Sequence, residues 1–327
     1  MNKSANTFEV SPKPRPEKIY IAGHRGMVGS AILRKLLAAG HTNILTRTRA
    51  ELDLVNQQAV SDFLQDERPD YIIIAAAKVG GILANDTERG AFLYENLMIE
   101  ANLIHAAWQA GIGRLLFLGS SCIYPREATQ PISESALLTG PLEQTNEPYA
   151  IAKIAGIKLC ENYNRQYGTQ YVSVMPTNMY GPNDNYDLQT SHVLPALLRK
   201  AHEAKLADKP TLTLWGSGRP RREFMHVDDM AEACIFIIDQ GAENGVFNIG
   251  TGDDVSITEL AELVCETVGF KGTLEYDRSK PDGTFRKRLD VTAMTKLGWT
   301  AQISLKDGLA STYDAFKANY CLDDPTA

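Results

Sequence analysis

Tyr149 and Lys153 stand four residues apart in Tyr149-Ala150-Ile151-Ala152-Lys153. On a helix that spacing puts both on one face. The lysine ammonium can then sit beside the phenol, lower its pKa, and let the tyrosine trade a proton with a carbonyl oxygen near neutral pH. An ordinary exposed helix shows the same pair, so its company decides. Upstream lie Gly119-Ser120-Ser121-Cys122-Ile123-Tyr124-Pro125 and, farther back, Gly23-His24-Arg25-Gly26-Met27-Val28-Gly29. Glycine-rich turn, serine segment and tyrosine-lysine pair, in that order, point to hydride transfer from a nicotinamide.

Such chemistry needs a scaffold, and the hydrophobic pattern supplies one. Residues 18–22 form a short apolar run, and 27–39 carry a helical pattern closed by Gly40. The intervening glycines let the backbone approach a pyrophosphate resting on the helix N-terminus. Further apolar runs at 43–45, 71–75 and 115–118 alternate with helical segments at 57–67 and 91–110. Continuous apolar strands between helices imply a parallel sheet covered on both faces. A helix over 149–166 and a strand over 171–175 extend the series, and 178–185 reads as a loop beyond a strand's carboxyl end, where open α/β sheets bind ligands. Beyond it, segments at 191–204, 211–215, 228–240, 246–249, 257–268 and 274–276 alternate helix and strand signals. The expected fold is α/β, a Rossmann-type doubly wound parallel sheet with a smaller C-terminal substrate-binding lobe. Residues 1–17 are expected to be a flexible tail, 18–180 mainly the cofactor-binding domain, and 181–327 mainly the substrate lobe, interleaved with the sheet's last elements.

The second strand carries no acidic residue at its end, where NAD-selective sites hold the ribose 2′-hydroxyl. Arg25 in the turn, with Arg47 or Arg49, can instead neutralise a 2′-phosphate, which favours NADP. Asp53, Leu54 and Ala75 to Ala77 are expected to wall the adenosine. Composition bounds the partners. The chain has 327 residues, 44% of them hydrophobic, and a formal net charge of -7. That balance argues against nucleic acid or an anionic membrane surface, so a polyanionic ligand must meet a local cluster of Lys and Arg. No apolar stretch approaches the roughly 20 residues that span a bilayer, and the start lacks a secretory apolar core. Five cysteines, at 122, 160, 234, 265 and 321, show no paired spacing. Neither a disulfide framework nor a zinc site follows, and a reducing cytoplasm is expected.

Together the turn, serine segment and tyrosine-lysine pair resemble the extended short-chain dehydrogenase/reductases, which act largely on nucleotide sugars. The strings at 23–29, 75–82, 119–125, 146–153, 176–182, 215–218, 222–230 and 280–284 narrow the match within that family. The resemblance spans residues 18 to about 315. It implies an NADPH-dependent 3,5-epimerase/4-reductase that turns GDP-4-keto-6-deoxy-D-mannose into GDP-L-fucose in one site, as a homodimer joined through the helices at 91–110 and 149–166. One site suffices because C3 and C5 both flank the C4 carbonyl. Groups that hydrogen-bond its oxygen stabilise the enolate after either C–H breaks, and later protonate the alkoxide.

The same resemblance assigns Ser120 and Tyr149 to the C4 oxygen, Tyr149 as proton donor, and Lys153 to the nicotinamide ribose. Cys122 and His192 become the epimerising acid/base pair, with base and acid at each carbon left open. Cofactor contacts are implied for Gly23, His24, Arg25, Gly26, Met27, Val28 and Gly29, then for Asp53 and Leu54. Leu118, Gly119, Ser120, Ser121 and Lys153 follow, and Pro176, Thr177, Asn178, Met179 and His192 complete the set. Lys200, Arg222 and Lys287 are implied for the diphosphate, Trp215 against the sugar nucleotide, and Asp282 on a hydroxyl or guanine edge. Another nucleotide-sugar epimerase or reductase of the superfamily is the alternative enzyme. A nonenzymatic NADP-sensing protein is the alternative from another class, and it has no reason to keep Ser120, Cys122, Tyr149, Lys153 and His192 together.

Overall fold

A computed structural model describes residues 18–241, 245–280 and 282–320. The tail expected over 1–17, Pro281 and Cys321 lie outside the described residues. Strand β1 (Ile19–Ala22) leads to helix α1 (Met27–Ala38), β2 (Ile44–Thr46), α2 (Gln57–Glu67) and β3 (Tyr71–Ile74). Next come α3 (Ile82–Thr87), the long α4 (Arg89–Gln109) and β4 (Arg114–Leu118). One turn of 3-10 helix, Ser121–Ile123, precedes α5 (Glu147–Tyr167), β5 (Gln170–Pro176) and β6 (Asn178–Tyr180). Then follow α6 (Val193–Leu206), β7 (Thr211–Trp215), β8 (Arg221–Arg222), β9 (Phe224–His226), α7 (Val227–Gln240) and β10 (Gly245–Ile249). The chain ends through β11 (Val255–Ser256), α8 (Ile257–Val268), β12 (Thr273–Asp277), β13 (Arg286–Lys287), α9 (Thr292–Leu297) and α10 (Leu305–Tyr320).

The main sheet is parallel throughout, in the order β10-β5-β4-β3-β1-β2. Winding reverses between β1 and β3, and this switch point opens the crevice at the strands' carboxyl ends. Period-2 geometry explains why these strands are apolar at every position. Tyr20, Ile72, Ile74, Leu115 and Phe117 pack with Leu64, Leu103, Ile104 and Ile157 of α2, α4 and α5. Their neighbours Ile21, Tyr71, Ile73, Leu116 and Val174 pack on the opposite face with Ile32, Leu36, Met230 and Ile237 of α1 and α7. Each such buried side chain contributes about 1.5–3 kcal/mol, so a polar residue on either pleat face would be costly. The doubly wound expectation holds. No helix among the described residues is long and apolar enough to cross a membrane.

A separate core joins α6, α8 and α10 through Leu194, Leu198, Leu260, Val264, Leu309 and Phe316. Small sheets β7–β12 and β11-β8-β13 edge this lobe. The segment expected as a loop over 178–185 differs at its start, where Asn178–Tyr180 is strand β6, paired in parallel with β9. Thr177 Oγ1 and Asn178 Nδ2 donate to the Glu223 carbonyl at 3.2 and 2.8 Å. That partner lies 45 residues away for Asn178, and local periodicity cannot reveal it.

Candidate active site

The glycine turn follows β1 and packs against the end of β3. Gly23 has φ +87°, and a β-carbon there would lie 2.6 Å from the Ala76 amide nitrogen. A β-carbon at Gly29 would lie 2.1 Å from the Gly23 carbonyl oxygen, so α1 can press onto the turn only without one. Gly26 caps α1 with no side-chain hydrogen bond, and the first turn holds no acidic residue. Its free N–H groups and positive dipole end are open to an anion. His24 Nδ1 is buried without a hydrogen-bond partner among the described residues. An uncapped helix start, a cradle that a β-carbon would fill and an orphaned nitrogen fit a dinucleotide's diphosphate.

The other expected cofactor residues divide. Gly119 is held by its N–H to the Val174 carbonyl at 2.8 Å, beside buried Leu118 and Ser121, and Pro176 pairs with Ile249 at the end of β5. Asp53 Oδ1 accepts from the Val55 amide at 3.1 Å, and the Leu54 carbonyl accepts from Asn102 at 2.9 Å. Thr177 and Asn178 spend their side-chain donors on Glu223's carbonyl, and Met179 packs against the core. Arg47 departs from expectation, since its guanidinium pairs with Glu67 at 2.7 Å and stacks 5.1 Å over the Phe63 ring. Arg25 is exposed, and Arg49 is 76% exposed with a 3.7 Å contact to Glu95, which leaves these two free to turn toward a 2′-phosphate.

Beyond Gly119, Ser120 begins the 3-10 turn and its Oγ accepts from the Cys122 amide at 3.3 Å. The turn packs against α5, which brings Tyr149 close to Cys122 and its neighbour Ser120. The lowered tyrosine pKa expected from the Tyr149-Lys153 spacing is corrected. Burial, reinforced by Cys122 and Glu100, holds the phenol well above its ordinary value. Lys153 instead directs its ammonium to Glu100, 2.8 Å away, with the two side chains 2% and 1% exposed. Burial also pushes the Cys122 thiol up, opposed by Lys287, the Ser120 hydroxyl and Lys153.

His192 caps the start of α6 from the second lobe. Partial desolvation, then the charge of Lys287, holds its imidazole below the usual value, although the residue as a whole is exposed. Lys287 therefore acts on both Cys122 and His192. Register pairs it with Arg222 across β13 and β8. Burial lowers both cations' pKa values, and neither has a carboxylate within ion-pair distance among the described residues. Farther out, the exposed Trp215 ring lies between Lys200 and Lys280, 5.1 and 5.4 Å from its centre. Beside it an open groove of about 500 Å³ is lined by Gly216, Ser217, Arg219, Lys280, Asp282 and Phe285 among others. Asp282, expected on a hydroxyl or guanine edge, accepts from the Ser217 amide and hydroxyl at 2.7 and 2.6 Å, one bond to each oxygen, and keeps acceptor capacity for a further donor.

Two buried carboxylates escape sequence reasoning. Glu100 is one. Glu223 is the other: lying between β8 and β9, it accepts from the Gly252 and Leu289 amides at 2.8 Å each and so ties that junction to the segments that follow β10 and β13. An acidic residue inside an otherwise buried helical or strand pattern was the signal available for both.

Residues 19–250 match the sequence profile of the NAD dependent epimerase/dehydratase family. GDP-L-fucose synthase of Escherichia coli (strain K12) is 56% identical over 93% of this chain and 97% of that protein. GDP-L-fucose synthase 1 of Arabidopsis thaliana is 55% identical over 95% of this chain and 96% of its own. Among solved structures, a GDP-L-fucose synthetase from Naegleria fowleri bound to NADP superposes with a TM-score of 0.85 at 25% identity, covering 95% of this chain and 99% of that one.

Proposed function

This chain belongs to the NAD dependent epimerase/dehydratase family, and from that premise we propose that it converts GDP-4-keto-6-deoxy-D-mannose to GDP-L-fucose, with NADPH as reductant. The observation that carries the reading is Cys122. A simple ketone reductase needs the serine and tyrosine but no further acid/base group. Here a thiol sits two residues beyond Ser120, and Lys287 links it electrostatically to His192.

Epimerisation comes first in the chemistry. One group removes a proton beside the C4 carbonyl, and the other returns a proton from the opposite face. Ser120 and Tyr149 hold the carbonyl oxygen and stabilise the enolate formed at either carbon. Cys122 and His192 serve as the pair, with environments that move thiol and imidazole in opposite directions. NADPH, when bound along the glycine turn and α1, supplies the hydride that reduces C4. Tyr149, kept protonated by burial, gives its proton to the C4 oxygen. Lys153 holds the nicotinamide ribose, and residues 181–327 supply mainly the substrate side.

Arg222 and Lys287, two cations without a carboxylate at ion-pair distance among the described residues, suit the diphosphate of the GDP-sugar, Arg through its planar fork. Arg222→Ala should weaken GDP-sugar binding by about tenfold or more, the loss of a charge-assisted contact, with NADPH affinity unchanged. Calorimetric titration of both ligands reads the split, and equal weakening of the two would reject the assignment.

The reading places the enzyme in the cytoplasm as a homodimer joined through α4 and α5. Their outer face carries Trp108 stacked on Tyr167 at 4.3 Å, with Tyr167 42% and Ile151 43% exposed. Sedimentation equilibrium should give twice the chain mass, and a monomer at micromolar concentration would remove that part of the proposal.

A further inference from the structure

Two buried charges face each other between α4 and α5, and the catalytic reading uses one of them. Glu100 Oε1 lies 2.8 Å from Lys153 Nζ. Beyond the Lys153 ammonium, neither carboxylate oxygen has a hydrogen-bond partner among the described residues, so the ion pair is its compensation. Gly156 makes the approach possible, since a β-carbon there would lie 2.7 Å from Glu100 Oε2 and 2.5 Å from the Phe117 ring. Burying a carboxylate costs free energy unless it is matched. An apolar residue would fill this α4 position, between Asn96, Leu103 and Ile104, without that cost. The ammonium also stands 4.6 Å from the Phe117 ring and 5.8 Å from the Tyr149 ring, so the carboxylate sets which side of the phenol it occupies.

We propose that Glu100 is a positioning residue for the reduction, holding the Lys153 ammonium on the α4 side of Tyr149 and cancelling its charge beside the phenol that delivers the proton. This rests on the reading of Tyr149 as proton donor. The groups facing Glu100 are Lys153, Tyr149 and Cys160 from α5 and, across Gly156, the Phe117 ring from β4. Its negative charge raises the pKa of Tyr149 and of Cys160. Replacing the carboxylate with an amide removes that effect and leaves the ammonium's charge uncancelled, so the phenol loses its proton at lower pH. A proton donor works only while protonated, so activity is full below its pKa and falls above it.

The experiment compares pH profiles of kcat for NADPH oxidation. In Glu100→Gln that folds and binds NADPH, the alkaline limb should move down by about one pH unit or more. An unchanged limb at an unchanged rate overturns the proposal. Should that variant not fold, Glu100→Asp keeps the charge one methylene farther back. It should preserve the limb while slowing the hydride step by about tenfold or more, since small displacements near the reacting groups are costly. Full rate and unchanged NADPH affinity in Glu100→Asp would overturn it as well. Tyr149→Phe runs in parallel. If that variant reduces at full rate, the donor reading fails and this proposal with it. If it is inactive while Glu100→Gln titrates like the unsubstituted enzyme, only this proposal fails.

Discussion

Tyr149→Phe should lower kcat for NADPH oxidation by about 10²–10⁴-fold, the usual contribution of a positioned general acid, with NADPH affinity unchanged. In the proposed mechanism the phenol, beside Ser120, donates the proton to the C4 oxygen, and the substitution removes that one oxygen and little else. Burial holds the phenol well above its ordinary pKa in the ligand-free protein, so the donor form prevails at neutral pH. The substrate's enolate also leans on that hydroxyl. Deuterium exchange at C3 and C5 should therefore slow too, but less, because Ser120 remains. A rate within a few-fold of the unsubstituted enzyme would remove Tyr149 from the mechanism.

Cys122→Ser should separate the two half-reactions. Exchange of solvent deuterium into C3 and C5 should fall by about 10²–10⁴-fold, because a serine hydroxyl is a far weaker acid than a thiol and cannot share the acid/base work. The hydride step retains Ser120, Tyr149 and Lys153, so NADPH oxidation should continue slowly and yield a GDP-6-deoxy sugar with C3 and C5 unchanged. His192→Asn should behave alike while leaving the thiol in place. Burial raises Cys122, partial desolvation lowers His192, and Lys287 favours the uncharged imidazole while favouring the thiolate. Exchange at both carbons persisting at full rate in Cys122→Ser would take the thiol out of the pair.

Much of this architecture was legible because the physics that makes it is local. The strands of the parallel sheet are apolar on both pleat faces, and α2 runs over Gln57–Glu67 where its pattern begins and ends. The glycine turn announces its own geometry, since Gly23 and Gly29 each stand where a β-carbon would strike backbone. What stayed hidden depends on partners far along the chain. Strands β8, β11 and β13 are two residues long and carry no period of their own. Helix α10 passed unread, although Leu309, Thr312, Tyr313 and Phe316 recur at helical spacing along its buried side. In the site, the Tyr149-Lys153 spacing suggested that lysine tunes the phenol directly. Glu100, 53 residues before Lys153, takes the ammonium instead, and no i,i+4 rule reaches that far. The Ser217 hydroxyl that donates to Asp282 lies 65 residues away and was equally out of reach of local pattern.

Purified protein supplied with GDP-4-keto-6-deoxy-D-mannose and NADPH in deuterated water tests the central claim most directly. The account predicts one NADPH oxidised per sugar, GDP-L-fucose as product, and deuterium at both C3 and C5. Oxidation of NADPH to a sugar with C3 and C5 unlabelled and not inverted would contradict it, leaving a reductase without the epimerase.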